Sequence, residues 1–235
     1  MSPLAGGTHT AYASDMSEVP SPPPPSPTLT CSKCLKPQAL CTCASVTPID
    51  NRIGLLVLQH PQEQDVELGT ARLAACHLKN AVFKVGLSWP SLAKALGRPA
   101  DPKAWAVLYL GSAKPAANLG EVVALDRKGN PLADQEKAMG GLEGVIVLDG
   151  TWSQAKALWW RNAWMLKCKR VALNPRRVSL YGKLRREPRK DTLSTLEAAA
   201  VLLAHLERRP EIQTAMFEGF QRMLDAYRAA KGLKA

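Results

Sequence analysis

The chain has no Gly-x-Gly-x-x-Gly turn and no Gly-x4-Gly-Lys-Ser/Thr loop. The two commonest backbone cradles for nucleotide phosphates are therefore excluded. It also lacks any stretch approaching the roughly 18 uninterrupted apolar residues of a membrane span. It has no internal repeat. The first thirty residues lack the basic-then-apolar layout of a secretory signal and instead carry Pro-Ser-Pro-Pro-Pro-Pro-Ser-Pro at residues 20–27. Such a segment reads as a disordered tail of polyproline character, and the chain is expected in the cytoplasm, away from membranes. No protein partner is evident.

What is present is one core of ordinary size: 235 residues, 46% apolar, enough for a single substantial domain and a small appendage. Acids are scarce where bases are dense. Between Lys156 and Lys190, twelve Lys and Arg face one acid, Glu187, a surplus equal to the +11 of the entire chain. Trp159, Trp160, Trp164 and Tyr181 are interleaved with these bases. The pattern fits a phosphate backbone with unstacked bases, so an RNA partner is expected. Arg161, Lys167, Arg170, Arg176, Arg177 and Arg186 are its candidate contacts. The three tryptophans are read as core.

Four of the six cysteines cluster as Cys31-x2-Cys34-x6-Cys41-x-Cys43. Four soft ligands at this spacing suit tetrahedral Zn²⁺ with no position left for substrate, hence a structural ion. The rival, two disulfides, needs an oxidising compartment. Cys76 and Cys168 are read as small core residues.

Apolar runs of four to six residues alternate with helical patterns, which predicts an α/β fold on a parallel sheet. Strands are expected at 52–58, 82–85, 105–110, 144–149 and 171–173, with helices at 70–78, 91–96, 194–208 and 211–231. Residues 118–134 read as a hairpin or an excursion. The run Gly144-Val-Ile-Val-Leu-Asp149-Gly150-Thr151-Trp152 is the most informative. It places Asp149 at the carboxyl end of a buried strand, where ligands of α/β sheets collect, with Thr151 capping the next helix. Asp149 is there either a turn acceptor or a catalytic group.

These landmarks together resemble the DTW-domain family of tRNA-uridine aminocarboxypropyltransferases, related to the knotted SPOUT class of S-adenosylmethionine enzymes. The resemblance covers Cys31 to the C-terminus. It rests on the four cysteines with Pro37 between the pairs, Gln59-His60-Pro61-Gln62-Glu63, Thr70-Ala71-Arg72-Leu73-Ala74, Asp149-Gly150-Thr151-Trp152, and Tyr181, Arg185 and Leu193-Ser194-Thr195-Leu196-Glu197-Ala198. One departure is Leu110, before Gly111, where the family would have proline.

The resemblance implies a Pro-rich tail (1–30), a zinc-binding module (31–48) and a SPOUT-like, knotted catalytic domain (49–235). It further implies tRNA as partner and transfer of a 3-amino-3-carboxypropyl group from S-adenosylmethionine to N3 of uridine. Asp149 is then the base, because N3 is mostly protonated at neutral pH. Thr151, Trp152, Leu110, Gly111, Arg185, Ser194, Thr195 and Glu197 are cofactor-binding candidates, with Arg185, Ser194 and Thr195 suited to its carboxylate. His60, Glu63, Arg72 and Tyr181 are expected to support the site. Two other functions fit the same residues: an RNA methyltransferase, and a non-catalytic zinc-containing RNA-binding protein.

Overall fold

A computed structural model describes residues 30–108, 120–185 and 193–233. Within them, β1 (Gly54–Gln59), β2 (Ala81–Val85), β3 (Trp105–Leu108), β4 (Val122–Leu125), β5 (Gly144–Asp149) and β6 (Lys169–Leu173) form one sheet in the order β2-β1-β5-β3-β6-β4. Five strands are parallel as expected, but β4 pairs antiparallel with β6 at the edge. That strand lies within the 118–134 excursion. Asp126 closes the turn after it, Oδ1 accepting from the backbone N–H of Lys128 and of Asn130, each at 2.8 Å.

The helices are α1 (Ala71–Cys76), α2 (Leu92–Leu96), α3 (Gln135–Met139), α4 (Trp152–Arg161), α5 (Thr195–Glu207) and α6 (Pro210–Lys231). The short α3 has no counterpart in the sequence reading. Both faces of the sheet are covered, which is why the central strands are apolar without alternation. Leu55, Val57, Val145 and Val147 point to one side, against Leu73 of α1, Leu202 of α5 and Phe220 of α6. Leu56, Leu58, Ile146 and Leu148 point to the other, against Leu92 of α2, Leu158 of α4 and Trp164. Helix α5 is buried from Leu196 to Ala204, consistent with a helix that is apolar all round. No helix among the described residues is long and apolar enough to cross a membrane.

The connections fix where a ligand would sit. From β1 the chain leaves through α1 towards β2, and from the adjacent β5 it leaves through α4 towards β6. Neighbouring parallel strands whose connections diverge open a crevice at their carboxyl ends. Gln59 and Asp149 are register partners at that end.

Candidate active site and metal centre

Asp149 is half-buried at the mouth of this crevice. Its Oδ2 accepts a 2.8 Å hydrogen bond from Gln59 Nε2, and its Oδ1 accepts one from the Thr195 hydroxyl at the start of α5. The Asp149 carbonyl accepts from His60 N–H at 3.0 Å. The next turn is locked by a capping box: Thr151 Oγ1 accepts from Gln154 N–H, and Gln154 Oε1 accepts from Thr151 N–H at 2.6 Å, the reciprocal pairing that stabilises a helix start. Gly150 is required because a Cβ there would stand 2.9 Å from Gln154 Cβ and 3.1 Å from its Oε1. The amino end of α5, a positive dipole end, meets the Asp149 carboxylate through Thr195.

His60 has an orienting place. Its Nδ1 accepts from Gln62 N–H at 3.3 Å and caps the short turn at Pro61–Glu63. Glu63 and Arg72 are not paired with each other among the described residues. The Arg72 guanidinium lies 4.4 Å from the centre of the Phe83 ring, with a buried Nε that has no hydrogen-bond partner there.

Ser194, Glu197 and Tyr181 form the floor beneath the crevice. Glu197 is wholly buried and accepts from Ser179 Oγ at 2.7 Å, Leu180 N–H at 2.8 Å and Ser194 N–H at 2.9 Å. Its carboxylate is spent on the protein's own loop. Tyr181 is buried, donates to the Leu68 carbonyl at 2.6 Å, and meets the Phe220 ring edge-on. Arg185 lies over the Tyr181 ring at 5.4 Å. Leu110, Gly111 and Arg186 lie outside the described residues.

The remaining basic candidates divide between the two ends of the sheet. Arg176 and Arg177 follow β6 at the end that holds Asp149. Arg161, Lys167 and Arg170 lie at or near the opposite end, where α4 finishes and β6 begins. Arg170 donates to the Arg127 carbonyl at 2.6 Å and covers the Trp159 ring at 5.3 Å. The tryptophan expectation needs correction. Trp164 is core and half-buried Trp159 packs against it, but Trp160 is 78% exposed.

The sulfurs of Cys31, Cys34, Cys41 and Cys43 all lie within 4.8 Å of one another. Zn–S bonds of about 2.3 Å put tetrahedral sulfurs about 3.8 Å apart, so the cluster fits a metal ion with little adjustment. Backbone N–H groups of Cys34 and Lys33 lower the Cys31 thiol to about 6, whereas burial raises Cys34 to about 11. The sequence places Lys36 close to these thiols, and the structure adds a second neighbour, Cys76. Buried Lys36 donates to the Glu67 carbonyl at 2.6 Å and brings a cation next to Cys34. Cys76, at the end of α1, is only partly buried and lies beside Cys43 rather than in inert core. Cys168 is the buried core thiol expected, pushed up to about 12 by burial. A lysine between clustered cysteines was the signal for the first; nothing local marks the second.

Gln59 was also missed as a site residue, although a polar side chain closing an apolar strand is a visible anomaly. An open cavity of about 840 Å³ lies at the other end of the strands, beside Arg52, Glu121 and His205, and none of the predicted site residues lines it.

The model of the DTW domain family matches residues 28–228. The chain is 32% identical over 199 residues to tRNA-uridine aminocarboxypropyltransferase 2 of Macaca fascicularis, covering 81% of this chain and 61% of that protein. Its Mus musculus counterpart is 32% identical over 196 residues with the same coverage. The Drosophila melanogaster protein of that name is 29% identical over 197 residues, covering 81% of this chain and 71% of that one. The chain thus spans about 61% of the length of the mammalian relatives. No solved structure matches.

Proposed function

The chain belongs to the DTW domain family, and from that premise we propose that it transfers the 3-amino-3-carboxypropyl group of S-adenosylmethionine to N3 of a uridine in tRNA. The names of its relatives support the reaction and the substrate class. The observation that carries the reading to a residue is the Asp149 carboxylate, held at a sheet crevice by Gln59 and Thr195 with acceptor capacity to spare. In this mechanism N3 attacks the methylene carbon beside the sulfonium. The carbon–sulfur bond breaks with its electron pair passing to sulfur, and methylthioadenosine leaves as a neutral thioether. Asp149 takes the N3 proton and returns it to water.

The other roles follow from placement. Gln59 and Thr195 hold the base, so the Thr195 hydroxyl acts on the uridine through Asp149. Arg185 serves the amino-acid carboxylate of S-adenosylmethionine, while buried Ser194 spends its hydroxyl capping the start of α5 and supports the site from below. Thr151, Trp152 and the Leu110–Gly111 loop complete a SPOUT-like, knotted cofactor site in this reading. Glu197, His60, Glu63, Arg72 and Tyr181 support it. Arg176 and Arg177 meet tRNA near the reacting base, Arg161, Lys167 and Arg170 meet it further away, and Arg186 is a further tRNA contact in this reading. A zinc ion at the four cysteines acts structurally in residues 31–48, ahead of a catalytic unit spanning 49–235.

The test is mass spectrometry of nucleosides from tRNA incubated with the protein and S-adenosylmethionine. Aminocarboxypropyl-uridine and methylthioadenosine should appear in equal amounts. A methylated nucleoside with S-adenosylhomocysteine would replace this reading by methyl transfer. Retained tRNA binding without any modified nucleoside would leave a binding protein.

A further inference from the structure

Helix α4 begins three residues after Asp149 and runs away from it along the outside of the molecule. Its inward face is Ala155 and Leu158, both buried. Its outward face is Trp152, Lys156 and Trp160, all exposed, at positions i, i+4 and i+8, which places them in one row. The row is about 12 Å long at the rise of an α-helix. Trp160 is 78% and Trp152 50% exposed, and the Lys156 ammonium lies 5.5 Å from the centre of the Trp152 ring. Two large indoles turned to solvent on one short helix are costly unless something covers them.

The surroundings indicate what does. At the far end of α4, five bases (Lys103, Arg127, Lys167, Lys169 and Arg170) against one acid, Asp126, line a depression of about 280 Å³. Arg170, over the Trp159 ring, joins this depression to the helix. A row of indoles punctuated by a cation, ending at a basic hollow, is complementary to a flexible polyanion whose units carry flat faces. It matches a single RNA strand better than a duplex, whose bases are already stacked.

We propose that the outer face of α4 is a track for unpaired nucleotides of the RNA substrate. A base stacks on Trp160, Lys156 meets the phosphate between neighbouring nucleotides, and the strand leads along the helix to the crevice at Asp149. The inference rests on the tRNA-modifying reading above and assigns Trp160 as its positioning residue.

The test is fluorescence anisotropy of the full chain with a labelled uridine-rich 12-mer and with a 12-base-pair RNA duplex, over a range of salt. Wild-type protein should prefer the single strand. Trp160→Ala should weaken binding of the single strand about ten-fold, the scale of one lost stack, with duplex affinity and salt slope unchanged. Trp160→Phe should restore most of the loss. Lys156→Ala should instead flatten the single-strand salt slope by about 0.7. Circular dichroism checks that the variants fold, which the exposure of both side chains favours. Wild-type single-strand affinity from Trp160→Ala overturns the track while leaving the tRNA reading in place. So does a wild-type dimer that Trp160→Ala converts to monomer at unchanged RNA affinity, since the row would then bury a second copy. Failure of wild-type protein to bind any RNA overturns both.

Discussion

The start of α5 meets two carboxylates and leaves them in opposite states. Glu197 is wholly buried, with three donors filling its oxygens. Asp149, on the crevice side, has two donors and part of its surface open. A carboxylate offers about four acceptor sites, so the protein nearly exhausts one group and leaves the other with capacity. Residue type is the same in chemistry and the contrast lies in what remains unsatisfied. The floor holds the loop from Ser179 to Tyr181 against α5; the crevice has room for a proton.

The comparison can be broken most sharply at Asp149. Asp149→Asn keeps the shape and most of the hydrogen bonding but removes the proton acceptor. Single-turnover transfer should fall by roughly 10²–10⁴-fold, while the melting temperature stays nearly constant. A near wild-type rate would reduce Asp149 to a turn acceptor. The reciprocal experiment is Glu197→Gln. Here the variant must place an amide N–H₂ among three donors, and a urea titration should show a loss of about 3 kcal/mol, with the rate per folded molecule preserved. Equal stability would mean that the floor is not held by charge.

A second buried pair extends the floor towards α6. His77 Nδ1 donates to the Leu73 carbonyl at 2.8 Å, and a Cβ on Gly219 would stand 2.0 Å from His77 Nε2. Gly219→Ala should therefore cost about 2 kcal/mol by overpacking, read as a lower denaturation midpoint with activity unchanged below it. The smallest effect is in pH. Burial, aided by Arg222, lowers the His77 pKa below its ordinary 6.5. Its contribution is thus fully present above about 6.5 and is lost as pH falls towards the folded value, by at most about 1.4 kcal/mol per unit. His77→Gln should flatten the stability profile between pH 7.5 and 5.5; an unaltered slope would assign that dependence to other groups.

The strands that carry the site were legible because burial on both faces leaves unbroken apolar runs, as in Gly144–Asp149 and the β1 segment. Asp149 stood out as the carboxylate ending such a run, and Thr151 as a cap. The four cysteines were legible from spacing alone. The edge strand β4 was not, since four apolar residues do not reveal their direction. Trp160 was misread because aromatic composition was weighed without its phase: with Ala155 and Leu158 inward, position 160 falls beside 152 on the outside. Gln59 and Cys76 owe their roles to partners far along the chain, Asp149 and Cys43, and no local window contains both members of either pair.

The two donors on Asp149 come from opposite directions in the sequence, Gln59 ninety residues before it and Thr195 forty-six after. Translation delivers them in that order. A nascent chain can pair β1 with β5 and seat Asp149 beside Gln59 while the segment that bears Thr195 is still inside the ribosome. The carboxylate then acquires its second clamp only when α5 emerges and docks, because a segment cannot pack before it has been synthesised. Synthesis itself thereby keeps the crevice unfinished until α5 has been made.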